Sequence, residues 1–197
     1  MILPDGYLDL APGKLANVVT NLEMFARPPV RPDPPGVRAV LRRAHEPGLA
    51  WYRELFHRVG DEYLWFSRLA LDDAGLRAIL DDPRVEVYAA GVDGSDEGLL
   101  ELDFRMPGEC EITFFAVAAR LVGHGVGRWL MNRALERAWS EPIHRLWLHT
   151  CTLDHPGAIE FYVRSGFAPY KRQVEVCDDP RRAGLVRRDA APHVPLL

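Results

Sequence analysis

The chain has 197 residues, of which 48% are hydrophobic and 26% charged, and its formal net charge is −4. These values are typical of a single globular domain with a sizeable core, and the acidic balance argues against a general nucleic-acid surface. No apolar run approaches the roughly 20 residues of a membrane-spanning helix, and the acidic N-terminal segment lacks the basic region of a secretory signal.

The first part of the chain predicts one strand followed by helices. Residues 14–25 alternate β-branched and polar side chains, which is typical of a strand. Five prolines between residues 28 and 36 predict a loop. Helical spacing predicts helices over 37–44 and 48–59, and residues 72–81 predict a third helix with an aspartate near its N-cap. The apolar stripe of the second helix consists of Leu49, Tyr52, Leu55, Phe56 and Val59.

The second part of the chain predicts a three-stranded meander and then alternating helices and strands. The meander strands are 85–92, 99–106 and 110–117, and their connectors are rich in Gly, Asp and Pro. They are followed by a helix over 125–140, a strand over 144–151, a helix from Pro156 to Ser165 and a strand over 168–177. The polar segment from residue 178 onward is expected to be frayed.

This order of elements predicts an α+β fold. The helical crossover between the strands 110–117 and 144–151 requires these two strands to be parallel, whereas the meander strands are antiparallel. We therefore predict a mixed, mostly antiparallel central sheet that is flanked by helices.

A glycine-rich turn, VGHGVG over residues 122–127, lies between the last meander strand and the helix that follows. Glycines allow the backbone to approach a bulky anion, and the free N–H groups and dipole of a helix start favour phosphate. The pattern fits a phosphate site and, equally, a plain tight turn. It is not a P-loop, because no Gly-Lys-Ser/Thr follows, and it lies too late in the chain for a dinucleotide-binding unit.

A second segment reads HPGAIEFYVRSGF over residues 155–167. Together with FFAVAARLVGHGVGRWLM over 114–131, it resembles the two coenzyme A motifs of the GNAT superfamily of N-acetyltransferases. The positions in register with the second motif are Ala158, Tyr162, Gly166 and Phe167. Two positions depart from the family pattern, since Val122 replaces a Gln or Arg and His155 replaces an Asn.

The resemblance implies a GNAT-like acyl-CoA N-acyltransferase fold and acetyl-CoA as the acetyl donor. It implies one domain over residues 1–197, with the coenzyme A motifs in 110–167 and a C-terminal tail over 178–197. The backbone of the last meander strand would pair with the pantetheine amides, which requires that strand and the strand 144–151 to diverge beyond Val117. The implied cofactor-binding residues are Phe115, Ala116, Val117, Val122, Gly123, His124, Gly125, Val126, Gly127, Arg128, His155, Ala158, Tyr162 and Arg164.

Acetyl transfer to an amine needs a base for the ammonium and an acid for the departing thiolate. The resemblance makes Tyr162 the candidate acid, with a core aromatic as the alternative. Strand alternation puts Glu109, Glu111, Thr113, Phe115 and Val117 on one face, and Cys110, Ile112, Phe114 and Ala116 on a core face. Glu111 is the candidate base, because it lies six residues before Val117, where many members of the resembled family carry a carboxylate. The alternatives are a solvated glutamate, His149 or a chain of waters.

Two groups of residues are candidates for the acceptor side. The acidic residues suggest a cationic acceptor, and they are Glu101, Asp103, Glu109 and Glu111. The aromatic residues wall the acceptor pocket in the resembled family, or else belong to the core, and they are Trp51, Tyr52, Phe56, Tyr63, Trp65 and Phe66.

The sequence therefore predicts an N-acetyltransferase that moves acetyl from acetyl-CoA directly to a primary amine of a small molecule or peptide. Three widely spaced cysteines form no C-x-x-C pair, so we expect no metal site and a reduced, cytoplasmic protein without nucleic-acid or membrane partners. Homodimers are common in the resembled family, and the oligomeric state is left open. The alternatives are a non-catalytic acyl-CoA-binding or regulatory module on the same fold, and an unrelated α+β interaction domain.

Overall fold

A computed structural model describes residues 4–29 and 31–196, and its strands form one mixed sheet. The strands are β1 Lys14–Met24, β2 Ala39–Ala44, β3 Val85–Val92, β4 Ser95–Asp103, β5 Glu109–Val117, β6 Arg145–Cys151 and β7 Ala168–Asp178. Their order across the sheet is β2-β3-β4-β5-β6-β1-β7. Strands β5 and β6 pair in parallel and all the other neighbours pair antiparallel. The predicted α+β class with a mixed, mostly antiparallel sheet is confirmed.

Helices cover both faces of the sheet and bury a separate core on each. On one face lie α1 Leu49–Gly60 and α2 Asp73–Leu80, and on the other lie α3 Val126–Ala138 and α4 Ala158–Arg164. The predicted stripe of α1 is buried apart from Leu49, which is half-buried. Asp72 caps α2 as predicted, because its carboxylate accepts a hydrogen bond of 2.7 Å from the backbone N–H of Gly75. None of the described helices is long and apolar enough to cross a membrane.

The helix predicted over residues 37–44 is wrong, because Ala39–Ala44 forms the edge strand β2. Burial alternates along it, with Ala39 and Leu41 packed on the core and Val40 70% exposed. Six residues are too few for periodicity to separate a helix from a strand, and the pairing with β3 decides the outcome.

Strand β4 begins at Ser95, four positions before the predicted start at residue 99. Asp93 and Gly94 have φ values of 51° and 83°, which is the left-handed backbone of a two-residue hairpin turn. Because this turn matches the twist of the strands, Val92 pairs with Ser95 and most of the predicted connector is strand.

A β-bulge at Thr113 interrupts the alternation of β5. Glu101 of β4 pairs with Phe114, and the next residue, Leu102, pairs with Ile112, so Thr113 is an extra residue. The core beneath α3 contains Cys110, Ile112, Phe115 and Val117, and the core beneath α1 contains Phe114 and Ala116. The prediction that alternate residues from Glu109 to Val117 share one face of β5 is therefore wrong, because the two faces are exchanged beyond the bulge.

Strands β5 and β6 separate soon after they begin. Their pairing ends at Glu111, which is opposite Trp147, so the predicted divergence starts well before Val117. The bulge follows two residues later, and no pairing between β5 and β6 resumes beyond it in the described residues. The result is a gap in the middle of the sheet.

The segment after β7 is packed, so the prediction that it is frayed is wrong. Asp179 and Arg181 are 2% and 3% exposed and form an ion pair of 2.7 Å. Arg181 also donates to backbone carbonyls of the same segment, including that of Val194 at 2.9 Å. The apolar side chains of this segment pack against Leu64, and they are Val186, Ala190 and Ala191. These polar residues therefore stabilise the packed segment through an ion pair and hydrogen bonds.

Candidate functional site

Two cavities open at the gap between β5 and β6. The larger, of about 480 Å³, lies beneath α3 and α4, and the smaller, of about 160 Å³, lies on the opposite face of the sheet. The residues that line both are Tyr63, Trp65, Thr113, His149 and Asp154. The two cavities therefore meet through the gap.

The glycine turn forms one end of the larger cavity. Gly123 and Gly125 have φ values of 82° and 85°, and α3 starts directly after them. The first N–H groups of a helix have no partner inside it, and no side chain among the described residues caps α3. A Cβ at Gly123 would meet nothing within 4 Å, and one at Gly127 would meet only the Phe161 ring at 4.0 Å. The turn is therefore an open cradle of backbone donors.

Gly125 has a different role from its neighbours. A Cβ there would lie 2.8 Å from Pro34 of the proline-rich loop, so the loop packs directly against the turn. The same loop contributes Arg31, which lines the larger cavity and donates a hydrogen bond of 2.9 Å to the backbone carbonyl of Arg164. Sequence reasoning did not identify Arg31, because its only local signal is a cation among prolines.

The end of the larger cavity near the turn is positively charged. Arg31, Arg128 and Arg164 line it, and the buried Nε of Arg128 has no hydrogen-bond partner in the described part of the chain. Guanidinium groups are strong donors to phosphate oxygens, so three of them at one end of a cavity favour an anionic ligand. The chemistry of this end fits a phosphate or pyrophosphate group.

All but two of the predicted cofactor residues line the larger cavity. Those that line it are Phe115, Ala116, Val117, Val122, Gly123, Gly125, Gly127, Arg128, His155, Ala158, Tyr162 and Arg164. Val126 is 5% exposed and belongs to the core beneath α3. His124 is exposed, and its ring Nδ1 lies 3.0 Å from the carbonyl oxygen of Val122.

Tyr162 lies on α4 and lines the larger cavity. Its ring packs edge-on against Phe115, Phe161 and Phe167, which holds the side chain in place. Burial, and then the nearby Asp154 carboxylate, raises the pKa of Tyr162 well above its usual 10.0. The phenol therefore stays protonated, and its hydroxyl makes no hydrogen bond with any described residue. It is free to donate one to a ligand.

Glu111 and His149 form a pair at the gap. The Oε1 atom of Glu111 lies 3.4 Å from Nδ1 of His149, and only His149 lines the cavities. The interaction with Glu111 raises the pKa of His149 above its usual 6.5, and the charge of Asp154 adds to this effect. Any exchange of a proton between Glu111 and a ligand would therefore pass through His149.

The acidic residues predicted to attract a cationic acceptor do not face either cavity. Three of them are paired with arginines, and the pairs are Glu101–Arg68, Asp103–Arg105 and Glu109–Arg145, whereas Glu111 lies beside His149, which is charged only when it is protonated. Glu101 is fully buried and also accepts a hydrogen bond of 2.6 Å from the hydroxyl of Tyr52. The expectation that these four residues lie at the acceptor site is therefore wrong for the two cavities, whereas the cationic acceptor itself stays a prediction.

Some of the aromatic residues predicted near the acceptor pocket line a cavity, and others belong to the hydrophobic core. Tyr63, Trp65 and Phe66 line the smaller cavity, whereas Tyr52 and Phe56 are fully buried beneath α1. Trp51 donates its indole N–H to Asp96 over 2.9 Å, away from both cavities.

Asp154 is a site residue that sequence reasoning missed. It accepts hydrogen bonds from Trp65 Nε1 at 3.0 Å, Thr150 Oγ1 at 2.7 Å and the backbone N–H of Cys151 at 2.8 Å. Its position directly after β6 and before the second motif was the available signal, since loop residues at strand ends often carry function.

Comparisons with known proteins are consistent with this geometry. The family model described as "Acetyltransferase (GNAT) family" matches residues 43–167. A putative acetyltransferase of the GNAT family from Novosphingobium aromaticivorans is 18% identical, with a TM-score of 0.55 over 85% of this chain and 68% of that chain. An IAA acetyltransferase from Bacillus cereus is 23% identical, with a TM-score of 0.52 over 68% of this chain and 79% of that chain.

Two further solved structures extend the comparison. A functionally unknown conserved protein from Staphylococcus epidermidis is 13% identical, with a TM-score of 0.56 over 85% of this chain, which spans 63% of that protein. An aminoglycoside acetyltransferase from an uncultured soil metagenomic sample is 16% identical, with a TM-score of 0.53 over 65% of this chain and 87% of that chain. At these identities the likeness demonstrates a shared fold. No curated protein gave a significant match.

Proposed function

The chain belongs to the GNAT family of acetyltransferases, and from this premise we propose that it transfers acetyl from acetyl-CoA to a primary amine within a ternary complex. One observation carries the proposal. The glycine cradle, an open strand edge and the Tyr162 hydroxyl all face a single cavity of about 480 Å³. That volume lies in the range of roughly 300–1,000 Å³ that is usual for sizeable ligands.

The residues of the larger cavity fit coenzyme A from end to end. The N–H groups at the start of α3 and the Arg128 side chain suit the pyrophosphate. Beyond Glu111, β5 pairs with β4 but no longer with β6, so one edge of β5 is free near Phe115 and Val117. Free backbone groups on a strand edge can pair with amides of a ligand, as pantetheine requires. The departure at Val122 removes a side-chain donor and leaves these backbone donors intact.

The reaction needs a base for the ammonium and an acid for the departing thiolate, and the gap offers a group for each. His149 takes a proton from the ammonium, and the Glu111 carboxylate at 3.4 Å stabilises the resulting imidazolium. The amine nitrogen then attacks the acetyl carbonyl carbon and forms the C–N bond. As the C–S bond breaks, sulfur keeps the electron pair and receives a proton from the Tyr162 hydroxyl. The nitrogen, which still carries two protons after the attack, gives one of them back to the Tyr162 oxygen as the neutral amide forms. The products are the acetamide, free CoA and one proton, which His149 releases to solvent.

In this arrangement Glu111, the base candidate from the sequence, acts through His149 and does not touch the substrate. A raised pKa suits His149 to this task, because a base is most effective when its pKa is close to the working pH. The oxyanion that forms during attack would be held by a backbone N–H of β5 near Val117.

The test is calorimetric titration with CoA and acetyl-CoA, followed by detection of free CoA in the presence of primary amines. We expect saturable binding below millimolar concentration and amine-dependent release of CoA. Absence of binding at millimolar CoA would refute the proposal. Binding without release for any amine would instead identify a non-catalytic acyl-CoA-binding module.

A further inference from the structure

The smaller cavity lies across the sheet from the glycine turn and reaches the same gap. Thr113, His149 and Asp154 line both cavities at this point. A molecule in the smaller cavity would thus meet the acetyl end of a donor that occupies the larger one. At about 160 Å³ the smaller cavity is well below the range usual for drug-sized ligands, so it suits a compact group.

Most of the wall of the smaller cavity is apolar. Its aromatic residues are Tyr63, Trp65, Phe66 and Phe114, and its aliphatic residues are Leu15, Val19, Leu64, Leu153 and Pro180. The Trp65 ring packs 5.2 Å from the Phe114 ring, and its indole N–H is bonded to Asp154. A side chain held at both ends forms a fixed surface, which favours a flat, apolar body in the ligand.

Two carboxylates, Asp154 and Glu175, also line the smaller cavity, and neither has an ion-pair partner within residues 4–29 and 31–196. Asp154 is held by neutral donors only, and Glu175 accepts a hydrogen bond of 2.9 Å from the Asn17 amide. No Lys or Arg of the described chain lines this cavity. This contrasts with the carboxylates elsewhere in the sheet, which have cationic partners.

The two carboxylates act on the titratable groups around the smaller cavity. The pKa of His149, which also lines this cavity, is raised first by Glu111 and then by Asp154 and Glu175. Burial, and then Asp154, raises the pKa of the Cys151 thiol to about 12. Burial, and then Glu175, raises the pKa of the Cys177 thiol. A site with this potential attracts a cation and repels an anion.

From the size, the aromatic wall and the two unpaired carboxylates, we infer that the acceptor is a compact, hydrophobic primary amine that lacks a carboxylate. The ammonium lies near Asp154 and Glu175, and the apolar body lies against Trp65 and Phe114. An amino acid would bring a third negative charge to this cavity, and a multi-ring aminoglycoside is too large for it. The inference rests on the proposed function, because it names the acceptor of that reaction.

The experiment compares amines at saturating acetyl-CoA by the rate of CoA release. The probes are 2-phenylethylamine, L-phenylalanine, a tetrapeptide with a free N-terminus, and sisomicin. L-Phenylalanine is the matched control, since it adds one carboxylate to the body of 2-phenylethylamine. We expect kcat/KM for 2-phenylethylamine to be at least tenfold above that for every other probe. An equal or higher value for any of the others overturns the inference and leaves the proposed function standing, whereas no turnover with any amine overturns both.

A substitution tests whether the ammonium group of the acceptor lies in the smaller cavity. Glu175→Gln keeps an acceptor for the Asn17 amide and removes one charge, so it should lower kcat/KM for 2-phenylethylamine about fivefold, the effect of one water-screened charge at roughly 4–5 Å. The KM for acetyl-CoA should not change. Glu54→Gln is the control, because this exposed carboxylate on α1 pairs with Arg58 and lines neither cavity. If the two variants behave alike, the ammonium does not lie in the smaller cavity and the inference fails.

Discussion

A negative charge at Gly127 should weaken the binding of coenzyme A without weakening the fold. Gly127 is the second residue of α3, and a Cβ there has only the Phe161 ring for a neighbour, at 4.0 Å. Gly125 is a poorer choice, because its φ of 85° and the 2.8 Å approach of Pro34 would strain any side chain. The substitution Gly127→Asp therefore adds charge at a site with room for it, and Gly127→Asn is its neutral match in shape.

The effect on the free protein should be stabilising. A carboxylate in the first turn of a helix gains about 0.3–1 kcal/mol from the helix dipole. Replacement of glycine by aspartate in a helix contributes about 0.3 kcal/mol more, because the helix propensity of aspartate is only slightly higher than that of glycine. For a domain of this size, each kcal/mol corresponds to a rise of about 2–4 °C in Tm.

The effect on binding should have the opposite sign. With a carboxylate about 5 Å from two pyrophosphate charges, and the dielectric constant of water, the repulsion is about 1.7 kcal/mol, or nearly twentyfold in Kd. Partial exclusion of water by the ligand would make the loss larger. Because the Debye length falls from about 10 Å at 0.1 M salt to about 3 Å at 1 M, the loss should shrink at high salt.

The assay measures two quantities for the natural chain and both variants. Calorimetry gives the Kd for CoA, and thermal unfolding gives Tm. We expect Gly127→Asp to raise Kd at least tenfold with an unchanged or higher Tm, and Gly127→Asn to raise it less than threefold. Equal losses in both variants would mean that the side chain acts sterically. An unchanged Kd in Gly127→Asp would show that the pyrophosphate does not lie at this turn.

Three other predictions follow from contacts at and near the gap. Tyr162→Phe should lower kcat at least 100-fold, as loss of a general acid does, and change the KM for acetyl-CoA less than threefold; unchanged turnover in steady-state assays would remove Tyr162 from the mechanism. The rising limb of kcat against pH should have its midpoint above pH 6.5, because Glu111 raises the pKa of His149. Glu111→Gln should move that limb to lower pH. A limb that stays in place would contradict the pairing of Glu111 with His149. Glu101→Leu should lower the free energy of unfolding, measured in urea, by about 3–5 kcal/mol, because it leaves the Arg68 guanidinium, 2.6 Å away, without its buried partner. A loss below about 1 kcal/mol would mean that Arg68 reaches water.

Local patterns were sufficient wherever a short segment decides its own structure. The strand predicted over residues 14–25 is confirmed as β1, and the helix predicted over residues 125–140 is confirmed as α3. The glycine turn was visible because positive φ and open space at a helix start both require glycine. Its spacing to Tyr162 and Gly166 was visible because both coenzyme A motifs are continuous in the chain.

Features that depend on a partner strand were not visible in the sequence. The bulge at Thr113 follows from how β4 and β5 align, and no residue near it differs from those of a regular strand. It inverts the faces of Phe114 and Phe115, so a prediction by alternation fails there. Strand β2 was missed for the same reason, since its pairing with β3 lies about 50 residues away in sequence.

The sequence by itself determined the fold class, the order of the elements from residue 48 onward and the position of the glycine turn, because periodicity, turn chemistry and glycine conformation are properties of neighbouring residues. Only the tertiary structure decided which charges are free to act. Glu101 and Asp154 look alike in the sequence, yet Glu101 is buried against Arg68 whereas Asp154 faces both cavities with neutral donors. The electrostatic character of a carboxylate depends on the side chain placed opposite it, and that placement is made by strands and loops far apart in the chain.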